Sequence, residues 1–381
     1  MKVCFVSFEY PPKTFGGAGT YAGFLVKGLK DKGIEVYTIT TGDLPEKKIY
    51  RIQAPNISYW RRLFFMKSAT SLLYKLDKRF KFDLVHFNEP YMIARSSSIP
   101  SLCTFHSSQA NEIKMAILGL KKFRTVRGIL DLTLKNPVGS LFDIVTAHMV
   151  DEIICPCFDL AKLLESYCFV NEQKIHVVPN GIDLESFDKI GYETDFLEKY
   201  GIEKENFLLY MGRLVSWKGI EYLIEAFKNL KKEYANLKLV IVGNGDFEPY
   251  LRNFALGIKD ILFVGFIDSL IVKNLLYESC LTLVVPSLLD SMPMVVLEAM
   301  ARNKPVVASD VGSIPLMIKH EKNGFLVKPA DSKSLEKSIK LLYENPDLRK
   351  RMGSFGRKLV EKEFTIDKMI SNTIRVYESL L

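Results

Sequence analysis

Short apolar runs alternate along this chain with longer segments in which apolar residues recur every three to four positions, the pattern of buried parallel strands joined by helices. The first half opens with the run KVCFVSF, passes through the Pro- and Gly-rich loop EYPPKTFGGAGT, and enters YAGFLVKGLKDKG, whose apolar spacing and closing Gly33 predict a helix; IEVYTIT is the next strand. The second half repeats the plan: NFLLYM is a strand, GRLVSWKG a loop, IEYLIEAFKNLKKEY a helix and LKLVIVG a strand. The two units match in length, 32 residues from Val3 to Glu35 and 31 from Phe207 to Lys238. Each half therefore starts with a βαβ unit, whose crossover is right-handed and whose sheet is parallel. Further strand-like runs follow, FDLVHF, SLCTF, EIICP and KIHVVP in the first half and ILFVGF, LTLVVPS and KPVVASD in the second. The polar stretch NGIDLESFDKIGYETDFLEKYGIEKEN reads as the connection, so a first domain is expected over residues 1–178 and a second over 179–363. The amphipathic end FTIDKMISNTIRVYESLL, residues 364–381, is expected to pack back onto the first domain. The expected architecture is α/β: two doubly wound, Rossmann-like domains facing a cleft, with ligands at the carboxyl ends of the strands.

A chain of 381 residues with 48% hydrophobic content can bury more than one core. No apolar run approaches the roughly 18 residues of a membrane span, and Glu9 with two prolines interrupts the start before a signal-type core develops, so a cytoplasmic protein is expected. The six cysteines are scattered through apolar segments without a C-x-x-C pair, which suits reduced, buried thiols and no metal site. Charge changes the picture more. The net +8 is concentrated between Arg51 and Pro137, where 15 Lys and Arg face 5 Asp and Glu. No nucleic-acid motif accompanies this surplus. YWRRLFFMK (Tyr59 to Lys67) and KMAILGLKKFRTVRGIL (Lys114 to Leu130) mix aromatic and aliphatic residues with clustered cations, so an anionic membrane surface is the better candidate partner.

The loops carry the chemistry. GGAG at Gly16 to Gly19 and GNG at Gly243 to Gly245 lack the G-x-G-x-x-G spacing, and no P-loop motif occurs, so nicotinamide cofactors and P-loop chemistry are disfavoured. The Gly16–Gly17 loop can close its amides over a phosphate or serve as a plain turn. Arg213 and Lys218 lie just beyond a strand end, between Gly212 and Gly219, where parallel domains bind anions; a fork of donors and a point charge together suit a diphosphate. No Asp-x-Asp offers ligands for a Mg²⁺-bridged diphosphate, so no metal is expected. His106 ends the apolar run SLCTF and is a site candidate, whereas His86, boxed between Val85 and Phe87, reads as structural. In SLLDSMPMVVLEAMA, Ser291 is the expected N-cap of a helix with Pro293 in its first turn. Asp290 then precedes the helix and Glu298 lies inside it, either as acids that complement a helix dipole or as acceptors for pairs of sugar hydroxyls.

Taken in order, EYPPKTFGGAGTY, TFHSS, VVPNGID, YMGRLVSWKG, VIVGNGD, FVGFI, PSLLDSMPMVVLEAMARNKPVVASDVGSIPLMI and NGFLVKPAD resemble family 4 of the retaining glycosyltransferases, enzymes of GT-B fold that use nucleotide sugars. The resemblance implies a nucleotide-diphosphate sugar (UDP-, GDP- or ADP-linked) as donor, no metal cofactor, and a glycan or glycolipid acceptor. It implies that Asp290 holds donor-sugar hydroxyls and Glu298 the ribose, that Arg213 and Lys218 grip the diphosphate, that Gly16 and Gly17 form the N-terminal loop, and that His106 lies near the donor sugar. Here Asp290 replaces the usual Glu, Ser313 and Leu316 stand where the family commonly has Gly and Glu, and Cys157 stands where it often has Ser. Retention implies front-face attack with the departing phosphate as base. Two other readings stay open: a nucleotide-sugar 2-epimerase, which would isomerise its donor without an acceptor, and a non-catalytic sugar-nucleotide-binding protein, which would bind donor without hydrolysing it.

Overall fold

The computed structural model describes residues 1–12, 17–42, 47–53, 58–90, 99–110, 136–188 and 195–381. Gly16 and the segment Lys114 to Leu130 lie outside these residues. In chain order the elements are β1 Lys2–Val6, α1 Gly17–Asp31, β2 Glu35–Thr41, β3 Ile49–Ile52, α2 Ser58–Phe80, β4 Leu84–Phe87, β5 Ser101–Thr104, α3 Asn136–Met149, β6 Glu152–Cys155, α4 Phe158–Cys168 and β7 Ile175–Val177. Then come α5 Leu184–Asp188, α6 Asp195–Lys199, β8 Phe207–Met211, α7 Ile220–Glu233, β9 Lys238–Val242, α8 Glu248–Phe254, β10 Ile261–Gly265, α9 Leu270–Ser279, β11 Thr282–Val285, α10 Met294–Ala301, β12 Val306–Ser309, α11 Ile314–Met317, β13 Gly324–Val327, α12 Ser332–Glu344, α13 Pro346–Glu363 and α14 Ile366–Leu380.

The chain forms two compact units, Met1–Gly181 with Ile366–Leu381, and Ile182–Thr365. The first holds a seven-stranded sheet in the order β3-β2-β1-β4-β5-β6-β7, the second a six-stranded sheet in the order β10-β9-β8-β11-β12-β13. Every strand pair is parallel. Central strands such as β1, β8 and β11 are buried on both faces, which is why they read as continuous apolar runs. In α7 the buried residues Ile220, Leu223, Ile224, Phe227 and Leu230 repeat every three to four positions and form the stripe that faces its sheet. In the first unit, α14 lies on α1 so closely that a Cβ on Gly28 would stand 1.7 Å from Ile370 Cδ1. Glycine at position 28 is what permits that approach.

β3 is not among the strands expected from the sequence: its run IYRI is half polar and sits at a sheet edge. The stretch from Asn180 to Asn206 carries α5 and α6, both inside the second unit, and the chain changes unit at Gly181/Ile182 and again at Thr365/Ile366. Ser291 does not cap its helix. The helix starts at Met294 with Pro293 as the cap residue, and Val296 N donates to Pro293 O at 3.1 Å. Proline disfavours helical backbone in the residue before it, so the turn cannot begin earlier. The Ser291 carbonyl instead accepts from Ser313 N at 2.9 Å.

Candidate active site

In each sheet the strand order reverses once, between β1 and β4 in the first unit and between β8 and β11 in the second. Loops leaving neighbouring strands diverge at such a point and open a crevice at the carboxyl ends. Both reversal points carry polar side chains.

In the second unit, the loop after β8 is sewn to its neighbours by backbone contacts. Tyr210 Oη donates to Arg213 O at 2.9 Å, Leu214 N donates to Asn244 O at 2.8 Å, and Leu288 N donates to Trp217 O at 2.8 Å. Gly219 has φ +61° and a Cβ there would fall 2.2 Å from Pro286 O, so the turn ending in Lys218 meets the end of β11 only because position 219 is glycine. That contact brings Lys218 to Asp290. Lys218 Nζ forms an ion pair with Asp290 Oδ2, with the two side chains only 17% and 12% exposed, and Ser287 Oγ donates to the same oxygen at 3.1 Å. Arg213 is exposed, with its guanidinium 5.6 Å from the centre of the Trp217 ring. One cation is thus committed to a carboxylate and the other is turned outward on an aromatic face.

Glu298 lies in the second turn of α10, half-buried, and accepts from Tyr277 Oη at 2.6 Å. Burial raises its carboxyl above the ordinary carboxylate range, opposed by the Tyr277 hydrogen bond and the Lys273 charge. The Asp290 carbonyl is fixed from behind: Gly312, at φ +55°, approaches so closely that a Cβ would stand 1.7 Å from Asp290 O.

In the first unit, Asn88 joins the elements around β4. Its Nδ2 donates to Ser7 Oγ at 3.0 Å and to Ala18 O at 3.1 Å, which ties the start of α1, beside Gly17, to the end of β1. Its Oδ1 faces His106 Nε2 at 3.0 Å. An amide oxygen can only accept, so Nε2 carries the hydrogen and Nδ1 is left as an acceptor. The Tyr21 ring packs edge-on against the imidazole, centroids 4.7 Å apart. Burial pushes His106 down to about 4 against the opposing Asn88 contact, so the ring is neutral near pH 7. His86 is fully buried between Tyr377 Oη at 2.6 Å and Thr104 Oγ1 at 2.7 Å, a structural bridge from β4 to α14 and β5. Among the described residues no group of three or more His, Cys, Asp or Glu stands ready to hold a metal ion.

Residues 193–359 match the family of glycosyl transferases group 1, and residues 15–186 match glycosyltransferase family 4. The chain belongs to glycosyltransferase family 4. It is 28% identical to an uncharacterized glycosyltransferase of Methanocaldococcus jannaschii over 99% of this chain and 98% of the relative. It is 29% identical to the UDP-Gal:alpha-D-GlcNAc-diphosphoundecaprenol alpha-1,3-galactosyltransferase of Escherichia coli over 70% of this chain and 67% of the relative. The Anabaena protein HepE, solved with UDP-glucose, superposes with a TM-score of 0.77 at 17% identity, covering 100% of both chains, and is of the same GT-B fold.

The glycosyltransferase therefore has Arg213, Lys218 and Asp290 around the reversal point of one sheet and, at that of the other, His106 joined through Asn88 to Ala18, the residue after Gly17. Residues that reading the sequence missed are Asn88, Tyr277, Ser287 and Trp217. The first could have been found, since Asn-Glu directly follows the apolar run LVHF; Tyr277 sits inside an ordinary helix and gives no sign.

Proposed function

We propose that this glycosyltransferase is a retaining enzyme that moves a sugar from a nucleotide-diphosphate sugar to an acceptor hydroxyl. The observation that carries this reading is the pairing of Lys218 with Asp290 at the reversal point of the second sheet, with Arg213 in the same loop. Two cations there can take a diphosphate, and the carboxylate beside them suits sugar hydroxyls rather than phosphate. Arg213 and Lys218 stabilise charge building on the β-phosphate as the sugar leaves, without a metal, and that phosphate takes the acceptor proton. Glu298, with one oxygen held by Tyr277, has the other for a ribose hydroxyl. The neutral His106 orients the sugar, and Nδ1 is its free acceptor.

A lipid-linked acceptor at the cytoplasmic face of a membrane is the finer part of the proposal. The E. coli relative's named acceptor, a sugar on diphosphoundecaprenol, supports it. So does α2, which exposes Phe64, Lys67, Ser71, Tyr74, Lys75 and Lys78 on one face, apolar rings among cations. No helix among the described residues is long and apolar enough to cross a membrane.

A thermal-shift panel of UDP, GDP, ADP and their hexoses tests the donor assignment, since a ligand at about 100 times its dissociation constant stabilises by about 2.7 kcal/mol. No stabilisation by any of them would refute it. NMR of the product's anomeric proton tests retention, and an inverted linkage would overturn that part alone.

A further inference from the structure

The mechanism does not use Glu89, a buried carboxyl at the reversal point of the first sheet. Beyond β4 the chain continues as Asn88, Glu89 and Pro90 at the reversal point of the first sheet, and Glu89 is only 9% exposed. Its Oε2 has no hydrogen-bond partner among the described residues. Its neighbours on this rim are satisfied: Ser7 Oγ donates to Glu9 O at 2.6 Å, Asn88 reaches Ser7, Ala18 and His106, and Thr146 Oγ1 donates to Pro90 O at 2.5 Å. Buried polar atoms in folded proteins are almost always paired, so an orphaned one at the mouth of a site points to a partner that arrives with a ligand.

The surrounding charges say what that partner is. Arg62 favours the carboxylate form, Glu9 opposes it, and burial outweighs both, so Glu89 is pushed up to about 7. A carboxyl poised there accepts a hydrogen bond in one form and also donates one in the other. A hydroxyl does the same in reverse. A phosphate or carboxylate beside Glu9 and Glu89 would meet like charge, and two carboxyls alone make a poor metal site.

We propose that Glu89 is an acceptor-binding residue: its Oε2 takes the hydrogen bond of a hydroxyl on a sugar or polyol acceptor seated at the carboxyl end of β4, one residue from the Asn88 that holds His106. This rests on the transferase reading given above. It assigns to the first unit a hydroxyl-binding carboxyl separate from Asp290 and Glu298, which serve the donor.

The test uses the full chain, the nucleotide hexose selected by the thermal-shift panel as donor, and a set of octyl hexosides as acceptor probes. Glu89→Leu, of similar volume but without a polar atom, is expected to raise the KM of the best octyl hexoside at least tenfold while the donor KM stays within twofold. Glu89→Gln, whose amide still offers an oxygen and hydrogens, is expected to fall between Leu and wild type. The melting temperature at pH 8 is expected to hold or rise in Glu89→Leu, because an unpaired polar group has been removed. A drop of several degrees in both variants would mark Glu89 as structural and overturn the proposal, as would an unchanged acceptor KM or an equal rise in donor KM. Absence of donor binding by the wild type would instead refute the donor assignment first, so the two failures are distinguishable.

Discussion

Replacing Asp290 by Asn separates sugar recognition from diphosphate recognition, because the structure pairs Asp290 with the lysine assigned to the diphosphate. In the free enzyme the substitution leaves Lys218 without its counter-charge in a setting where both side chains are more than four-fifths buried. Breaking a fully buried pair costs about 3–5 kcal/mol and an exposed one about 0–1 kcal/mol. This pair lies between those limits, and the Asn oxygen still accepts from Ser287, so a loss of about 2 kcal/mol is expected. In a unit of this size that lowers the melting temperature by roughly 4–8 °C.

A nucleotide diphosphate should reverse much of the loss, since it supplies the missing negative charge. It also no longer competes with a carboxylate. Like charges about 5 Å apart interact by about 3 kcal/mol at an effective dielectric of about 20 and by under about 1 kcal/mol in water, so roughly fivefold tighter binding of the free nucleotide diphosphate is expected. The nucleotide sugar should lose its advantage over the bare nucleotide, because the carboxylate that takes its hydroxyls is gone. Calorimetry of wild type and Asp290→Asn with both ligands reads this directly. If both ligands weaken equally in the variant, Asp290 belongs to the diphosphate grip and the assignment to the sugar fails.

Arg213→Ala is expected to lower transfer by roughly tenfold to a thousandfold, the range for losing one electrostatic contact to developing charge, with an unchanged melting temperature because Arg213 is exposed; wild-type turnover would remove it from the site. His106 and His86 are held down to about 4 and about 3, below the ordinary value of about 6.5. Each therefore contributes stability that is complete above about pH 6.5 and is lost as pH falls toward its folded value. Melting curves of wild type and His106→Gln from pH 7 to 4 should show a shallower decline in the variant, and parallel curves would contradict a neutral His106. Replacing Lys67, Lys75 and Lys78 of α2 by Glu should abolish co-sedimentation with vesicles containing anionic lipid at low salt, where wild type pellets and about 0.5 M salt releases it; wild type in the supernatant at both salt levels would favour a soluble acceptor.

How far the sequence carries toward this site depends on whether a feature is local. The central strands are legible because burial on both faces leaves unbroken apolar runs, as in FLLYM and TLVV, and the α7 stripe is legible because its period is helical. β3 is not, since an edge strand of mixed polarity carries no such mark. The start of α10 illustrates competing local rules: Ser291 is a good cap by composition, yet Pro293 forces the turn later and frees the Ser291 carbonyl for Ser313. Within the site, Arg213 and Lys218 announce themselves by following a strand. The Lys218–Asp290 pair does not, because its members are 72 positions apart and meet only where Gly219 lets one loop touch the end of β11. The same holds for Gly312 behind the Asp290 carbonyl. These glycines shape the site without offering a functional group to it. Gly312→Ala would add a Cβ 1.7 Å from Asp290 O and force the acid out of place, even though Gly312 itself has no side chain to hold a ligand. The placement of the charged groups is thus written in backbone contacts between loops, and motif matching along the chain finds the charges but not the geometry that sets which of them pair.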